Sequence, residues 1–444
     1  MLRDYQQAIF EQSIQAFRDG AKGVCCVLPC RSGKSYIMAR MIKGARGKVL
    51  VLAHRHTLIH QHKELLQSLG VLTDKVRVES VFTEASRLGR FAPGDVDLII
   101  IDEAHLSEAA SYRKVCEYYN CHRVLFTATP ARLDGKPLTL ADTLITGITA
   151  EELIERGAIS EYEYFAPDLN LDFDRVDLVA GEYNNGQLSD LMCQSAIYGD
   201  VIKYYRMLGE NRQAIAYCTS VKHSEETAEN FIQNGISAVS IDGKMPQKER
   251  NRRMDLFRSG KVQILCNCNL ISEGVTLPNA SVALLLRPTL SLPLFIQQAC
   301  RVLTPVEGKK AVIIDFVNNV QKHGLPTESH NWSLSQPVTK RKQNNADGSF
   351  TIRQCEYCFR CFQGNRCPYC GKEHVPKGRE LKQIKDVELK RIEEFHREEQ
   401  EQQRRNARKE QGECKTYQEL YDLAKRRGYK NPSGWAYFIM KGRK

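Results

Sequence analysis

The stretch V-C-C-V-L-P-C-R-S-G-K-S, residues Val24 to Ser35, decides the fold, because an apolar run passes directly into a loop ending in Gly33, Lys34 and Ser35. The phosphate-loop pattern G-x-x-x-x-G-K-[ST] places a glycine where this chain has Leu28, while the last three positions of the pattern are intact. A strand over residues 23–28 and an apolar-periodic helix over 35–42 are expected on either side. That is the setting a phosphate loop needs, since backbone N–H groups and a helix N-terminus must converge on the anion. Lys34 is then placed for the β- and γ-phosphates and the Ser35 hydroxyl for Mg²⁺. For an isolated match, a chance G-K-S in a turn is the plain alternative.

A second stretch weighs against that alternative. Four apolar residues, Leu98 to Ile101, lead into Asp102-Glu103-Ala104-His105, which puts two carboxylates at the carboxyl end of a buried strand. Ligands bind at that end of open α/β sheets. Asp102 can hold Mg²⁺, and Glu103 can orient and deprotonate an attacking water, so the recurring parts of phosphoryl transfer are present. Acidic capping of the next helix explains either residue alone, but not why the pair follows a lysine loop.

Around these two stretches the chain alternates short β-branched runs with amphipathic segments. K-V-L-V-L-A, D-L-I-I-I-D and R-V-L-F-T form one series; Q-A-I-A-Y-C, V-Q-I-L-C-N and K-A-V-I-I-D-F form another. Such alternation predicts parallel sheets covered on both faces, hence an α/β fold of two tandem domains. The expected boundaries are 1–165 and 166–325 for these domains, 326–350 for a polar linker, 351–375 for a cysteine module and 376–444 for a charged helical segment with a basic end.

Composition narrows the partners. Of the formal net charge of +11, residues 341–444 carry +10 (25 Lys+Arg against 15 Asp+Glu), which leaves the body nearly neutral. A neutral body with a basic tail suggests a polyanion such as nucleic acid, with solubility the bland alternative. No stretch of about 18 apolar residues occurs and no charged segment followed by an apolar run opens the chain, so neither a membrane span nor secretion is indicated. A cytosolic location is expected. Many of the 16 cysteines fit it, sitting singly in apolar runs as reduced thiols.

Residues 355–370 read C-E-Y-C-F-R-C-F-Q-G-N-R-C-P-Y-C. Two C-x-x-C knuckles, Cys355/Cys358 and Cys367/Cys370, suit a structural Zn²⁺ closed by four thiolates. Cys361, inside the connecting loop, is the weaker ligand. In the end piece Lys425, Arg426, Arg427 and Lys430 lie among Tyr429, Trp435, Tyr437 and Phe438. Bases could stack on the rings while cations follow phosphates; a small aromatic core with basic edges is the competing reading.

The order of these pieces resembles superfamily 2 helicases. The lysine loop, D-E-A-H and T-A-T-P (127–130) are similar to motifs I, II and III, and L-R-D-Y-Q-Q-A resembles the adenine-recognition segment, implying Arg3 and Gln6 at the base. The resemblance implies ATP contacts from Arg31, Ser32, Gly33, Lys34 and Ser35, and coupling roles for His105, Thr127 and Thr129. L-A-H-R-H-T-L-I-H-Q and E-S-V-F-T are similar to motifs Ia and Ib, implying nucleic-acid contacts from His54, Arg55 and Thr83. I-A-Y-C-T-S-V-K-H-S resembles motif IV, implying strand contacts from Thr219, Ser220 or His223. I-S-E-G-V-T-L-P resembles motif V, with Gly274 at the nucleotide and Thr276 where aspartate is usual. F-I-Q-Q-A-C-R-V-L-T-P resembles motif VI, Q-x-x-G-R-x-x-R: Gln297 and Arg301 fit, Cys300 replaces the glycine and Thr304 the last arginine. That arginine is commonly the finger on the transferring phosphate, which leaves Arg301, another basic residue or slow turnover. Arg31, where the superfamily has glycine, is a further departure.

The subgroup resembled most is the RadD-like repair helicases and their phage relatives, which also carry T-A-T-P-A-R-L-D-G, L-L-R-P-T-L-S and a cysteine cluster after the second domain. An ATP- and Mg²⁺-dependent, zinc-containing DNA helicase or translocase follows from the resemblance, with single-stranded, double-stranded or branched DNA as partner and a monomer as the working state. An RNA helicase, or a zinc-containing DNA-binding protein that uses ATP only as a ligand, are the rivals.

Overall fold

The computed structural model describes residues 2–104, 109–130, 138–167, 176–179, 182–193, 195–268, 277–330, 332–334, 352–355, 357–363, 366–373, 416–426 and 432–441, with a few single positions besides. Its first sheet takes β1 (Gly23–Val27), β2 (Val49–Ala53), β3 (Val76–Ser80), β4 (Leu98–Asp102), β5 (His122–Thr127) and β6 (Thr143–Thr146) in the order β3-β2-β4-β5-β1-β6, with every pairing parallel. Helices α1 (Asp4–Arg18), α2 (Lys34–Gly44), α3 (His56–Ser68), α4 (Val81–Arg87), α5 (Ala110–Tyr119) and α6 (Ala150–Glu155) connect and flank it. Interior strands are buried at every residue in β1 and β2, as a sheet covered on both faces requires. Strand β3, at the edge, alternates instead: Val76, Val78 and Ser80 are buried while Arg77 and Glu79 lie half-exposed. The Arg77 guanidinium lies 3.9 Å over the Phe91 ring and 2.9 Å from Glu84, so one head group makes both a cation–π contact and an ion pair.

The second sheet begins earlier than the sequence suggested. Strand β7 (Tyr162–Phe165), inside the range expected for the first domain, pairs with the last strand of the second sheet. After a small ladder of β8 (Leu178–Val179) and β9 (Glu182–Tyr183) come β10 (Ala214–Tyr217), β11 (Ala238–Ile241), β12 (Ile264–Asn267), β13 (Val282–Leu285) and β14 (Ala311–Asp315). Their order is β11-β12-β10-β13-β14-β7, again all parallel. Helices α7 (Asn185–Met192), α8 (Ser195–Leu208), α9 (Val221–Gln233), α10 (Gln247–Arg258), α11 (Leu292–Ala299) and α12 (Asn319–His323) accompany it.

Two later segments return to these sheets. Trp332 and Leu334, expected in a free linker, pack on the first domain's core, and the Leu138 N–H donates to the Leu334 carbonyl at 3.2 Å. The cysteine module, with β15 (Ile352–Gln354) antiparallel to β16 (Cys361–Gln363), sits against the edge strand β7. There the Ala166 N–H donates to the Phe359 carbonyl at 3.1 Å, and Arg360 reaches Glu163 at 2.8 Å. An exposed parallel edge is thereby covered. Residues through 374 form one body and residues from 375 another. In the second, α13 (Tyr417–Arg426) and α14 (Pro432–Lys441) bury Leu420, Leu423, Ala424 and Ala436, and the Tyr417 hydroxyl donates to the Ser433 carbonyl. The charged helix expected over 376–411 lies outside the described residues.

Candidate nucleotide and nucleic-acid site

Parallel strands entering from one side bring their carboxyl ends together, so β1, β5, β4, β2 and β3 deliver the phosphate loop, Thr127, Asp102, His54 and Phe82 to one face in that order. In the phosphate loop Gly33 has φ +83°, and a Cβ there would run into the Gln6 side-chain nitrogen, so only glycine fits. The Gln6 amide donates to the Ser32 carbonyl at 2.9 Å, and the Tyr5 hydroxyl donates to the same oxygen at 3.0 Å. Gln6 also accepts from the Arg3 N–H at 3.0 Å. The segment expected at the base thus clamps the loop from behind, with Gln6 and Ser32 buried and Arg3 exposed. Lys34 lies back along the loop, its Nζ donating to the Leu28 and Pro29 carbonyls at 3.3 and 3.4 Å.

Asp102 is buried beside this lysine. Its Oδ2 lies 3.0 Å from His62 Nε2, and its Oδ1 accepts from the Glu103 N–H at 3.0 Å. Burial alone would raise its pKa, but the hydrogen bond and charge of His62, together with the charge of Lys34, hold the carboxyl below its ordinary value. An ionised carboxylate facing the loop lysine fits a Mg²⁺ ligand, with the Ser35 hydroxyl as its partner across the loop. Glu103 adopts φ +56°, a strained conformation for a residue with a side chain, which turns it away from the direction of the strand. Thr127 and Thr129 close a tight turn on themselves: the Thr127 hydroxyl donates to the Thr129 carbonyl at 2.9 Å and accepts the Thr129 N–H at 3.0 Å. His105 lies outside the described residues, as do Gly274 and Thr276.

The second sheet brings Gln297, buried in α11, and Arg301, in the turn Cys300–Leu303, to the same seam. Arg31 meets Arg301 there; its guanidinium is pushed down to about 10 by burial first and by the charge of Arg301 second. Arg31 has φ +66° at a position suited to glycine. Lys309 lies beside Thr304, donating to the carbonyls of Thr304 at 3.2 Å and Pro278 at 3.0 Å. Neither His62 nor Lys309 was legible as a site residue, because each joins the site through a fold contact and neither falls in a spaced motif.

Where nucleic-acid contacts were expected, at the ends of β2 and β3, His54 and Phe82 pack edge to face at 5.2 Å beside Arg55 and Thr83. Phe82 is 55% exposed, an apolar ring on an otherwise polar rim. Two residues expected to touch nucleic acid do not reach the surface. Thr219 and His223 are buried, the Thr219 N–H donating to His223 Nδ1 at 3.2 Å, and Ser220 caps α9 by accepting the His223 N–H at 3.0 Å. A polar T-S-x-x-H run served helix capping, which spacing alone does not separate from strand contact. In the tail Arg426 is exposed at the end of α13 and Trp435 lies within α14; Arg427 falls outside the described residues.

The sulfurs of Cys355, Cys358, Cys367 and Cys370 all lie within 4.8 Å of one another, with 3.4 Å from Cys355 to Cys370 and 3.7 Å from Cys358 to Cys367. Zn–S bonds of about 2.3 Å in a tetrahedron give S–S edges of roughly 3.8 Å, so the four thiols fit such an ion. Cys361 points elsewhere: it is buried against the second domain's core, near Asp315 and the Tyr164 ring.

Two parallel-sheet domains thus bring a phosphate loop, a strand-end carboxylate and facing arginines to one seam. Residues 1–132 match the family described as type III restriction enzyme, res subunit, and residues 198–304 the helicase conserved C-terminal domain. The chain is 35% identical over 374 residues to a 51.5 kDa protein of a Lactococcus phage, covering 82% of this chain and 81% of that one. It is 27% identical over 354 residues to a protein of Saccharomyces cerevisiae named as the ATP-dependent helicase Irc3, covering 71% of this chain and about half, 51%, of the yeast protein. An HsdR subunit fragment of a type I restriction enzyme from Vibrio vulnificus shares the fold at a TM-score of 0.57 and 18% identity, over 71% of this chain and 64% of that one. The chain belongs to the superfamily 2 helicases and is an ATP-hydrolysing enzyme of that family. Among the described residues no helix is long and apolar enough to cross a membrane.

Proposed function

We propose that this helicase is an ATP-dependent DNA translocase of the RadD-like kind, acting on single-stranded, double-stranded or branched DNA in replication, recombination or repair. One observation carries the reading: Asp102 lies beside Lys34 in the first domain, and Arg31 of the same loop meets Arg301 of the second. Lys34 leaves its carbonyl contacts for the β- and γ-phosphates, Glu103 orients the attacking water, and Gln297 and Arg301 approach as the seam closes. Mg²⁺ held by Ser35 and Asp102 would neutralise charge on the phosphate oxygens. Closing and opening of the seam ratchets a strand along His54, Arg55, Thr83 and the exposed Phe82 ring. DNA is favoured by the restriction-enzyme relationship of the first domain and by the basic end of the chain. The four cysteines take Zn²⁺ and fasten the module to β7; Arg426, Arg427 and Trp435 add tail contacts.

Phosphate release is measured with single-stranded, double-stranded and branched DNA and with RNA, using Lys34→Ala as the control. DNA stimulation above that control is expected. Stimulation by RNA alone would replace the substrate, and none at all would sink the motor reading. Deleting residues 375–444 is expected to weaken DNA binding and its salt dependence, because phosphate contacts release counterions. Metal analysis of the purified protein is expected to return one zinc per chain.

A further inference from the structure

A departure from the superfamily pattern in motif VI lies against a cysteine of the phosphate loop. Cys30 lies in the phosphate loop between Pro29 and Arg31, and Cys300 stands where motif VI has glycine, immediately before Arg301. They belong to different domains, yet Cys30 packs against the same apolar cluster at the seam in which Cys300 is buried, and each thiol shifts the other's titration. Both are reduced; Cys300 is buried and Cys30 half-buried. We propose that Cys30 and Cys300 are an oxidation site for a peroxide, forming a disulfide that ties the phosphate loop to motif VI and stops the ATPase cycle. The proposal rests on reading this seam as the ATP site.

The surroundings select these two thiols. The neighbouring Cys300 thiol, then the charges of Lys34, Arg301 and Arg31, outweigh burial and lower Cys30 to about 6, which favours its thiolate over those of the other thiols. Burial pushes Cys25 and Cys26, in the strand that leads into the loop, upward instead, to about 12 for Cys26, which leaves them unreactive. The chemistry balances without another reactant. The Cys30 thiolate attacks one peroxide oxygen, the O–O bond breaks, and hydroxide leaves to become water, giving a sulfenic acid. Cys300, losing its proton, attacks the Cys30 sulfur; the S–O bond breaks and a second water leaves. Two thiols lose two electrons and the peroxide gains them. The resulting bond spans two elements that must separate and close in each cycle. A nucleotide lying over the loop should shield Cys30 by the same geometry.

The full-length protein, reduced and freed of reductant, is titrated with hydrogen peroxide with and without Mg·ADP, alkylated, and mapped by mass spectrometry. The expected product is a Cys30–Cys300 linked peptide lacking two hydrogens. Its formation is slowed by Mg·ADP, ATPase falls below about a tenth of its starting rate because the seam no longer opens, and a dithiol reductant restores it. In Cys300→Ser the Cys30 sulfenic acid is trapped by dimedone and no link forms. The proposal is overturned if mapping finds Cys30 unlinked to Cys300 in folded, oxidised protein, if the linked protein hydrolyses ATP at the reduced rate, or if Mg·ADP gives no protection. Absence of ATPase in the reduced protein instead defeats the motor reading, while mapping still reads the thiols.

Discussion

Removing His62 isolates how Asp102 is held. The imidazole Nε2 lies 3.0 Å from the Asp102 carboxylate, and both side chains are about nine-tenths buried or more. A hydrogen bond to a charged group contributes roughly 1.5–3 kcal/mol, and leaving a buried charge without its partner tends to the upper end. At 1.4 kcal/mol per tenfold, this is about 10- to 100-fold in any equilibrium that needs the carboxylate in place. The same range is typical for residues that orient a metal ligand. His62→Ala is therefore expected to raise the Mg²⁺ concentration for half-maximal ATPase, and to weaken Mg·ADP in calorimetry, by about 10- to 100-fold. His62→Asn, which keeps a donor on a shorter stem, is expected to fall between the two. Thermal melting checks that each variant is folded. A folded His62→Ala with half-saturation and Mg·ADP affinity both within about twofold of wild type would refute the reasoning.

Other expectations are direct. Gly33→Ala places a Cβ against Gln6 at φ +83°; it is expected to cost about 1–2 kcal/mol of backbone strain in denaturant melts and to abolish ATPase, because the clamp on Ser32 must move. Burial, then the charges of Arg31 and Arg212, push Lys309 from its ordinary 10.5 down to about 8. Between those values the unfolded chain holds a proton that the folded chain has released, so stability rises with pH across that window; urea melts of Lys309→Met at pH values inside it are expected to show a flatter slope. Arg360 holds Glu163 at 2.8 Å and covers the Phe165 and Tyr369 rings. Arg360→Ala is expected to loosen the module by about 1 kcal/mol, seen as faster proteolysis between residues 334 and 374 and faster zinc loss to a chelator.

Much of the site was legible because its chemistry is local. A lysine loop between a strand and a helix, and two carboxylates at a strand end, need only a few consecutive residues in the right order, and the strand, loop and helix around Lys34, Ser35 and Asp102 fall where that order put them. The parallel sheets were legible for a similar reason: runs such as L-I-I-I and A-V-I-I are apolar at consecutive positions, which suits strands buried on both faces. Less could be read of the residues expected to contact nucleic acid. Thr219 and His223 are polar in sequence but buried in the fold, since a hydrogen bond between neighbours satisfies them without solvent. Trp332 and Leu334 sat among polar residues that composition assigned to a linker, yet two apolar side chains were enough to fasten it.

The sequence by itself determined the class: two α/β domains, a nucleotide loop, a strand-end carboxylate and a four-thiol knuckle, each set by periodicity or by fixed spacing along a few residues. Tertiary structure alone decided what meets across distance. His62 reaches Asp102 over 40 positions, Arg31 faces Arg301, Cys30 touches Cys300, and Arg360 anchors the cysteine module on Glu163. Periodicity records which face a residue presents within its own element; it carries no record of the partner element, because that pairing is fixed only when the sheets, helices and seam pack against one another.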